Sequence, residues 1–165
     1  MRKAQILHII LILFIVGTGL KAQVLEPAKW EFETEQLSGD TVLLHFDVKL
    51  DEGWYIYGQF IGDAGPVPTS LTFDDQKGLK IVGYATEEGK IVKEGFDKIF
   101  QMDLKKFGES ARFSQKVIAG KKAGIVSGEI EYMTCDATRC LPPQLVPFKI
   151  ELKTEKDSKE DRSSN

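Results

Sequence analysis

From Thr41 to Leu50 the chain alternates strictly: Val42, Leu44, Phe46, Val48 and Leu50 fall on one side of an extended backbone, and Leu43, His45, Asp47 and Lys49 on the other. Successive strand side chains point to opposite faces, whereas helical apolar residues recur three and four apart, so this stretch predicts a strand with one buried face. His45 is then expected on the solvent side. The same period returns at Val146, Phe148, Ile150 and Leu152, and in Trp30-Glu-Phe-Glu-Thr-Glu35. Between them lie shorter candidates at Trp54–Tyr57, Thr69–Phe73, Leu79–Tyr84, Ile99–Leu104, Ala111–Ala119 and Gly128–Tyr132, separated by turn residues. About nine short strands at roughly 8 to 12 residue spacing, with no 3.6-residue period, predict an all-β antiparallel sandwich. Its structural rival is a closed barrel, because alternation does not distinguish open sheets from closed ones.

The two ends of the chain break this pattern. Arg2 and Lys3 precede an apolar run from Ile6 to Val16, and Ala22 stands at a small-residue cleavage point, which is the layout of a secretory signal peptide over residues 1–22. The run stops at Gly17, Thr18, Gly19 and Lys21, short of the roughly 18 apolar residues of a membrane span. At the other end, residues 153–165 mix charges of both signs with Ser, and such a segment buries too little to offset its ordering entropy. The expected organisation is therefore a signal peptide, one domain over 23–152, and a disordered charged tail. Gly58–Pro68, rich in Gly and Pro, is expected to be a long exposed loop.

Loss of Arg2, Lys3 and Lys21 with the signal takes the formal charge from −3 to −6. A mildly acidic exported domain is a poor match for nucleic acid or anionic membranes, which reward clustered Lys and Arg. Lys121-Lys122 reads as a turn. With His8 in the signal, His45 is the single histidine left for any Ser-His-Asp or Cys-His unit, and it lies far along the chain from both cysteines. Phosphate-loop, His-Glu-x-x-His and calcium-loop patterns do not occur. The paired acids Asp74-Asp75 and Glu87-Glu88 sit in turn-like segments and are expected to be solvated.

Cys135 and Cys140 are the only cysteines, in Tyr132-Met-Thr-Cys-Asp-Ala-Thr-Arg-Cys-Leu-Pro-Pro-Gln144. An exported domain with two cysteines ordinarily carries a structural disulfide. Loop length speaks against a staple, since closing about six residues restricts the unfolded chain by only about 2 kcal/mol, against about 4.7 for a hundred-residue loop. A close pair has another use: when one sulfur forms a mixed disulfide, the other is at hand to resolve it. Arg139 beside Cys140 would favour the thiolate if its side chain turned that way, and Pro142-Pro143 fixes an extended exit from the second cysteine. The spacing is not that of a thioredoxin Cys-x-x-Cys, and no helical pattern follows.

Cys135-x4-Cys140-Leu-Pro-Pro-Gln144, with strands on either side, resembles the active-site hairpin of the N-terminal periplasmic domain of the thiol:disulfide interchange protein DsbD. Gly53-Trp-Tyr-Ile-Tyr57 is similar to the aromatic strand of that family, and the strand order fits from Leu25 to Leu152. The resemblance implies an immunoglobulin-like fold that passes electrons from a thioredoxin-like domain to exported proteins. It implies that Cys140 forms the mixed disulfide and Cys135 resolves it, that Tyr55 and Tyr57 line the site with Pro142 and Pro143, and that a cap loop bearing an aromatic covers the bridge. Phe96, in Glu94-Gly95-Phe96-Asp97-Lys98, is the candidate for that aromatic.

Two departures accompany the resemblance. The cysteines are separated by four residues rather than five, and the 165 residues include neither a membrane-spanning part nor a thioredoxin-like domain. Electrons are thus expected from another chain, with thioredoxin-like exported proteins and a separate membrane electron conduit as partners, no cofactor and no metal. Two other readings remain open. One is a non-catalytic binding module that uses Trp54–Tyr57 as its surface and the bridge as a stiffener. The other is metal delivery, in which two thiolates near Met133 form a soft site for Cu(I).

Overall fold

A computed structural model describes residues 25–62, 65–97, 100–120 and 124–152. The expected signal segment, the charged tail and Lys121-Lys122 lie outside these residues, as do Lys98 and Ile99. Nine strands follow in order among them: β1 (Ala28–Ser38), β2 (Thr41–Leu50), β3 (Tyr55–Tyr57), β4 (Ser70–Phe73), β5 (Leu79–Asp97), β6 (Met102–Ala119), β7 (Ile125–Tyr132), β8 (Thr134–Cys135) and β9 (Gln144–Glu151). All pairings are antiparallel. One sheet runs β1-β2-β6-β3-β8 with β5 on the other side of β6, and the second runs β4-β7-β9. The result is an immunoglobulin-like antiparallel β-sandwich, so the open alternative prevails over the barrel.

The two inner faces meet through aromatic rings. Phe46 of β2 is fully buried, with ring centroids 4.9 Å from Phe148 of β9 and 6.2 Å from Phe73 of β4. Trp30 of β1 bridges in the same way to Phe113 at 6.0 Å and Tyr132 at 5.3 Å, both in edge or tilted arrangements that suit ring quadrupoles. This packing requires Gly128, where a Cβ would run into Thr72 O and Phe148 Cζ. Pro147 sits in β9 at the edge of its sheet, where a strand can spare an N–H.

β2 spans the predicted Thr41–Leu50, with Val42, Leu44, Phe46 and Val48 buried. The polar face is different from expectation: His45 is only 8% exposed, with Nδ1 2.8 Å from Ser114 Oγ and Nε2 3.3 Å from Glu35 Oε2. Long side chains on the neighbouring strands cover it, as they do nearby where Arg112 grips Asp47 through two nitrogens and also reaches Glu33.

The long β5-β6 hairpin departs most from the sequence pattern. Ile99–Leu104 and Ala111–Ala119 were expected as separate strands, yet a single β6 runs from Met102 to Ala119 through Glu109, whose φ is 61°. β5 continues 13 residues beyond Tyr84, because it is an edge strand with register shifts at Val82/Thr86, Gly89/Ile91 and Ile91/Lys93. Irregularities of this kind reset which side chains face inward and erase a simple period. Glu87 therefore lies in a strand rather than a turn, and its carboxylate accepts the Gln59 N–H at 2.8 Å and pairs with Lys105 at 3.4 Å. Gly58–Pro68 is correspondingly not a free loop. Gly58 donates to Lys105 O, and the loop's end is tied by Thr69, whose hydroxyl donates to Tyr57 O at 2.6 Å.

Candidate functional site

β6 is long enough to serve two partners along one edge. β2 occupies Ser110–Ile118, and β3 takes over at Lys106–Gly108. The free edge of β3 accepts β8, which sets Tyr55 opposite Cys135 and Ile56 opposite Thr134. Alternation then divides the three residues of β3: Ile56 enters the main core, while Tyr55 and Tyr57 face a second, smaller cluster with Leu104 and Cys135. Ile61, Phe100, Met102 and Met133 pack around it.

The chain reverses over Asp136–Arg139 and brings Cys140 back opposite Cys135 in an antiparallel bridge. The two are joined by a disulfide with Cα atoms 4.0 Å apart. Asp136 N–H donates to Arg139 O, and Leu141 N–H to Thr134 O, both at 2.9 Å. Asp136 also caps the turn with its side chain, Oδ1 accepting from the N–H groups of Thr138 and Arg139 at 2.7 and 2.8 Å and from the Thr138 hydroxyl at 2.8 Å. These bonds, the Thr138 N–H foremost, favour the ionised form and hold its carboxyl at about 2.

The sulfurs occupy opposite environments. Cys135 is completely buried, with Sγ 3.4 Å from the Tyr57 hydroxyl. Cys140 is exposed, and exposed Pro142 and Pro143 follow it. Arg139 does not turn toward the sulfur: Nε lies 3.4 Å from Asp136 Oδ2, and the guanidinium lies 5.8 Å from the Trp54 ring. Tyr57 is fully buried and meets Tyr55 edge-on at 5.7 Å. Burial first, then the Tyr55 phenol and the Asp97 carboxylate, push its hydroxyl well above the ordinary tyrosine range, so it remains a proton donor.

Sequence reasoning named Cys135, Cys140, Tyr55, Tyr57, Pro142, Pro143 and Phe96. The structure gathers all but Phe96 around the bridge. Phe96 pairs with Asp103 in the β5-β6 hairpin and is 58% exposed, outside the cluster. Its neighbour Asp97 points the opposite way and is buried, as alternation in β5 requires. The aromatic that reaches the site is Phe100, edge-on to Tyr57 at 6.2 Å. Sequence reasoning also passed over Lys106, whose Nζ lies 4.5 Å from the Tyr55 ring centre. A lysine between Leu104 and Phe107, both of which are buried, interrupts the alternation, and that break was the available signal.

The family model described as thiol:disulfide interchange protein DsbD, N-terminal, matches residues 21–151. In shape the chain is similar to the N-terminal periplasmic domain of ScsB from Proteus mirabilis, with a TM-score of 0.57 at 14% identity, covering 88% of this chain and 55% of that one. It is also similar to the DsbD N-terminal domain of Neisseria meningitidis in the reduced form, with a TM-score of 0.47 at 19% identity, covering 76% and 86%. No curated protein matches the sequence.

Proposed function

The chain belongs to the family of the N-terminal domain of the thiol:disulfide interchange protein DsbD, and on that basis we propose that it is an exported, periplasmic thiol-disulfide exchange domain. It passes electrons between a thioredoxin-like donor and periplasmic partner proteins through reversible opening of Cys135–Cys140. The observation that carries this reading is the asymmetry of the bridge, with Cys140 exposed and Cys135 buried against a phenol.

An incoming donor thiolate can reach only the exposed sulfur. It forms a bond to Cys140 Sγ, the Cys135–Cys140 bond breaks, and Cys135 leaves with the electron pair as a thiolate. The donor's second thiolate then attacks its own half of the mixed disulfide and releases Cys140, leaving the donor oxidised and this domain reduced. The reduced domain runs the same chemistry forward: Cys140 attacks a partner disulfide, and Cys135 resolves the adduct by attacking Cys140 Sγ. Tyr55, Tyr57, Pro142 and Pro143 line the site, and no cofactor takes part. The aromatic cover that the family resemblance leads one to look for is supplied by Phe100, which packs against the Tyr57 and Cys135 cluster, rather than by the exposed Phe96. Electrons enter through the thioredoxin-like donor that opens the bridge.

The test is the reduction potential of the pair. An exchanging couple is expected above about −300 mV, whereas a value well below it would mark a structural bridge and favour a binding module instead. A Cys135→Ala protein is expected to accumulate mixed disulfides through Cys140 with exported thioredoxin-like proteins, and Cys140→Ala is not.

A further inference from the structure

Against the two tyrosines that flank Cys135 lie two buried charges that thiol exchange does not in itself demand. Lys106 is 7% exposed and Asp97 2%, with Nζ 3.1 Å from Asp97 Oδ2. Lys93 reaches the same oxygen at 3.1 Å from a more exposed position, and Asp97 Oδ1 accepts the Phe100 N–H at 3.3 Å. Lys106 Nζ also stands over two tyrosine faces, 4.5 Å from the Tyr55 centroid and 5.4 Å from that of Tyr57. Packing alone does not favour such an arrangement, because apolar residues in place of a buried ion pair are often neutral or stabilising.

The chemistry supplies a reason. Whenever Cys140 is attacked, Cys135 becomes a thiolate at a site with no solvent exposure, and a buried anion is costly without a donor and a positive charge nearby. The Tyr57 hydroxyl is the donor in contact with Sγ. Among the described residues, the charged groups packed on this side include Lys106 and Lys93, both on the Asp97 carboxylate, while Asp136 and Arg139 across the turn pair with each other.

We propose that Lys106 is a positioning residue for the exchange: clamped by Asp97 against the faces of Tyr55 and Tyr57, it holds the Tyr57 hydroxyl on Cys135 and supplies the positive potential that the buried thiolate needs. This assignment rests on the exchange reading above. It also gives Asp97 a double task, since the same carboxylate that anchors Lys106 accepts the Phe100 N–H and so links the ring that meets Tyr57 to the buried charge.

The experiment measures how fast reduced glutathione opens the oxidised domain, alongside the pH at which the Cys135 thiolate forms in a Cys140→Ala background. Lys106→Met is expected to slow opening about tenfold, because a poorer leaving thiolate departs more slowly, and to raise that pH. Lys106→Arg keeps the charge and should retain most of the rate. Lys49→Met, which removes an exposed ion pair between β2 and β1, should leave it unchanged. Should Lys106→Met fold poorly with Asp97 left behind, the double variant Lys106→Met/Asp97→Asn removes both charges and is still expected to open slowly. A wild-type rate in either Met variant, or Arg as slow as Met, overturns the assignment while leaving exchange intact. A wild-type bridge that glutathione cannot open overturns both.

Discussion

The sandwich has two cores built on opposite terms. Between the sheets lies an apolar interior of Phe46, Phe113, Phe148, Val48 and Ile130, without a charged side chain among its buried members. At the end of the larger sheet, where β3 and β8 extend it, a smaller interior holds Tyr57, Leu104 and Cys135, with Lys106 and Asp97 buried beside them. The first gains free energy by removing carbon from water, at roughly 25 cal/mol per Å². The second buries a cation, a carboxylate, a phenol and a sulfur, and gains little from desolvating them. The large core supplies stability, so the small one is free to spend its volume on electrostatics around one reactive atom.

If that division holds, damage to the two cores should separate. Phe46→Ala removes the ring that joins both sheets and is expected to cost about 3–5 kcal/mol in urea unfolding while the folded fraction keeps its wild-type rate of bridge opening. Equal loss of exchange rate in the folded protein would mean that the cores are not independent. Gly128→Ala acts on the same interior by overfilling. Its Cβ meets Thr72 O and Phe148 Cζ, so about 1–3 kcal/mol is expected, again with no change in the reduction potential.

The same division governs what could be read beforehand. The large core was legible, since β2 shows Val42, Leu44, Phe46 and Val48 at period two and buries all four. Its outer face was not, because His45 is covered by neighbours contributed from β1 and β6, and no local pattern records them. The cysteines, Tyr55 and Tyr57 were legible as a motif. Phe100, Lys106 and Asp97 were not, because the hairpin end that carries them buries a cation and a carboxylate at positions where a period-two reading looks for apolar side chains. Glu87 was misread for the same reason: in sequence it adjoins Glu88 and Gly89 like a turn, and only the fold brings Gln59 and Lys105 to it.

A smaller perturbation probes the second core alone. Tyr57→Phe keeps the buried ring and deletes the hydroxyl 3.4 Å from Cys135 Sγ. A neutral hydrogen bond to sulfur in the oxidised state contributes at most about 1 kcal/mol, so stability measured by urea unfolding should hardly move. Opening by glutathione should slow severalfold, because the departing thiolate loses its donor. A variant that loses stability but opens at the wild-type rate would make Tyr57 a packing residue and would remove the contrast between the cores at its sharpest point.

The smallest effect is expected at the turn between the cysteines, where Asp136 accepts the Thr138 and Arg139 N–H groups. Its carboxyl is held at about 2, below the 3.8 of an unconstrained aspartate. A group depressed in the folded state stabilises fully above its unfolded value and loses that contribution as pH falls through the folded one. The turn should therefore be pH-independent from neutral down to about 4 and loosen between about 4 and 2, read as a fall in protection against amide exchange, relative to the intrinsic rate at each pH, at Thr138 and Arg139. Asp136→Asn keeps an acceptor oxygen but not the charge, and should show at neutral pH the low protection that the wild type reaches only in acid. Because Cys140 follows this turn directly, the substitution also asks whether the exposed sulfur depends on the turn or on the buried cluster. An unchanged opening rate with a loosened turn would assign its reactivity to the Cys135 side.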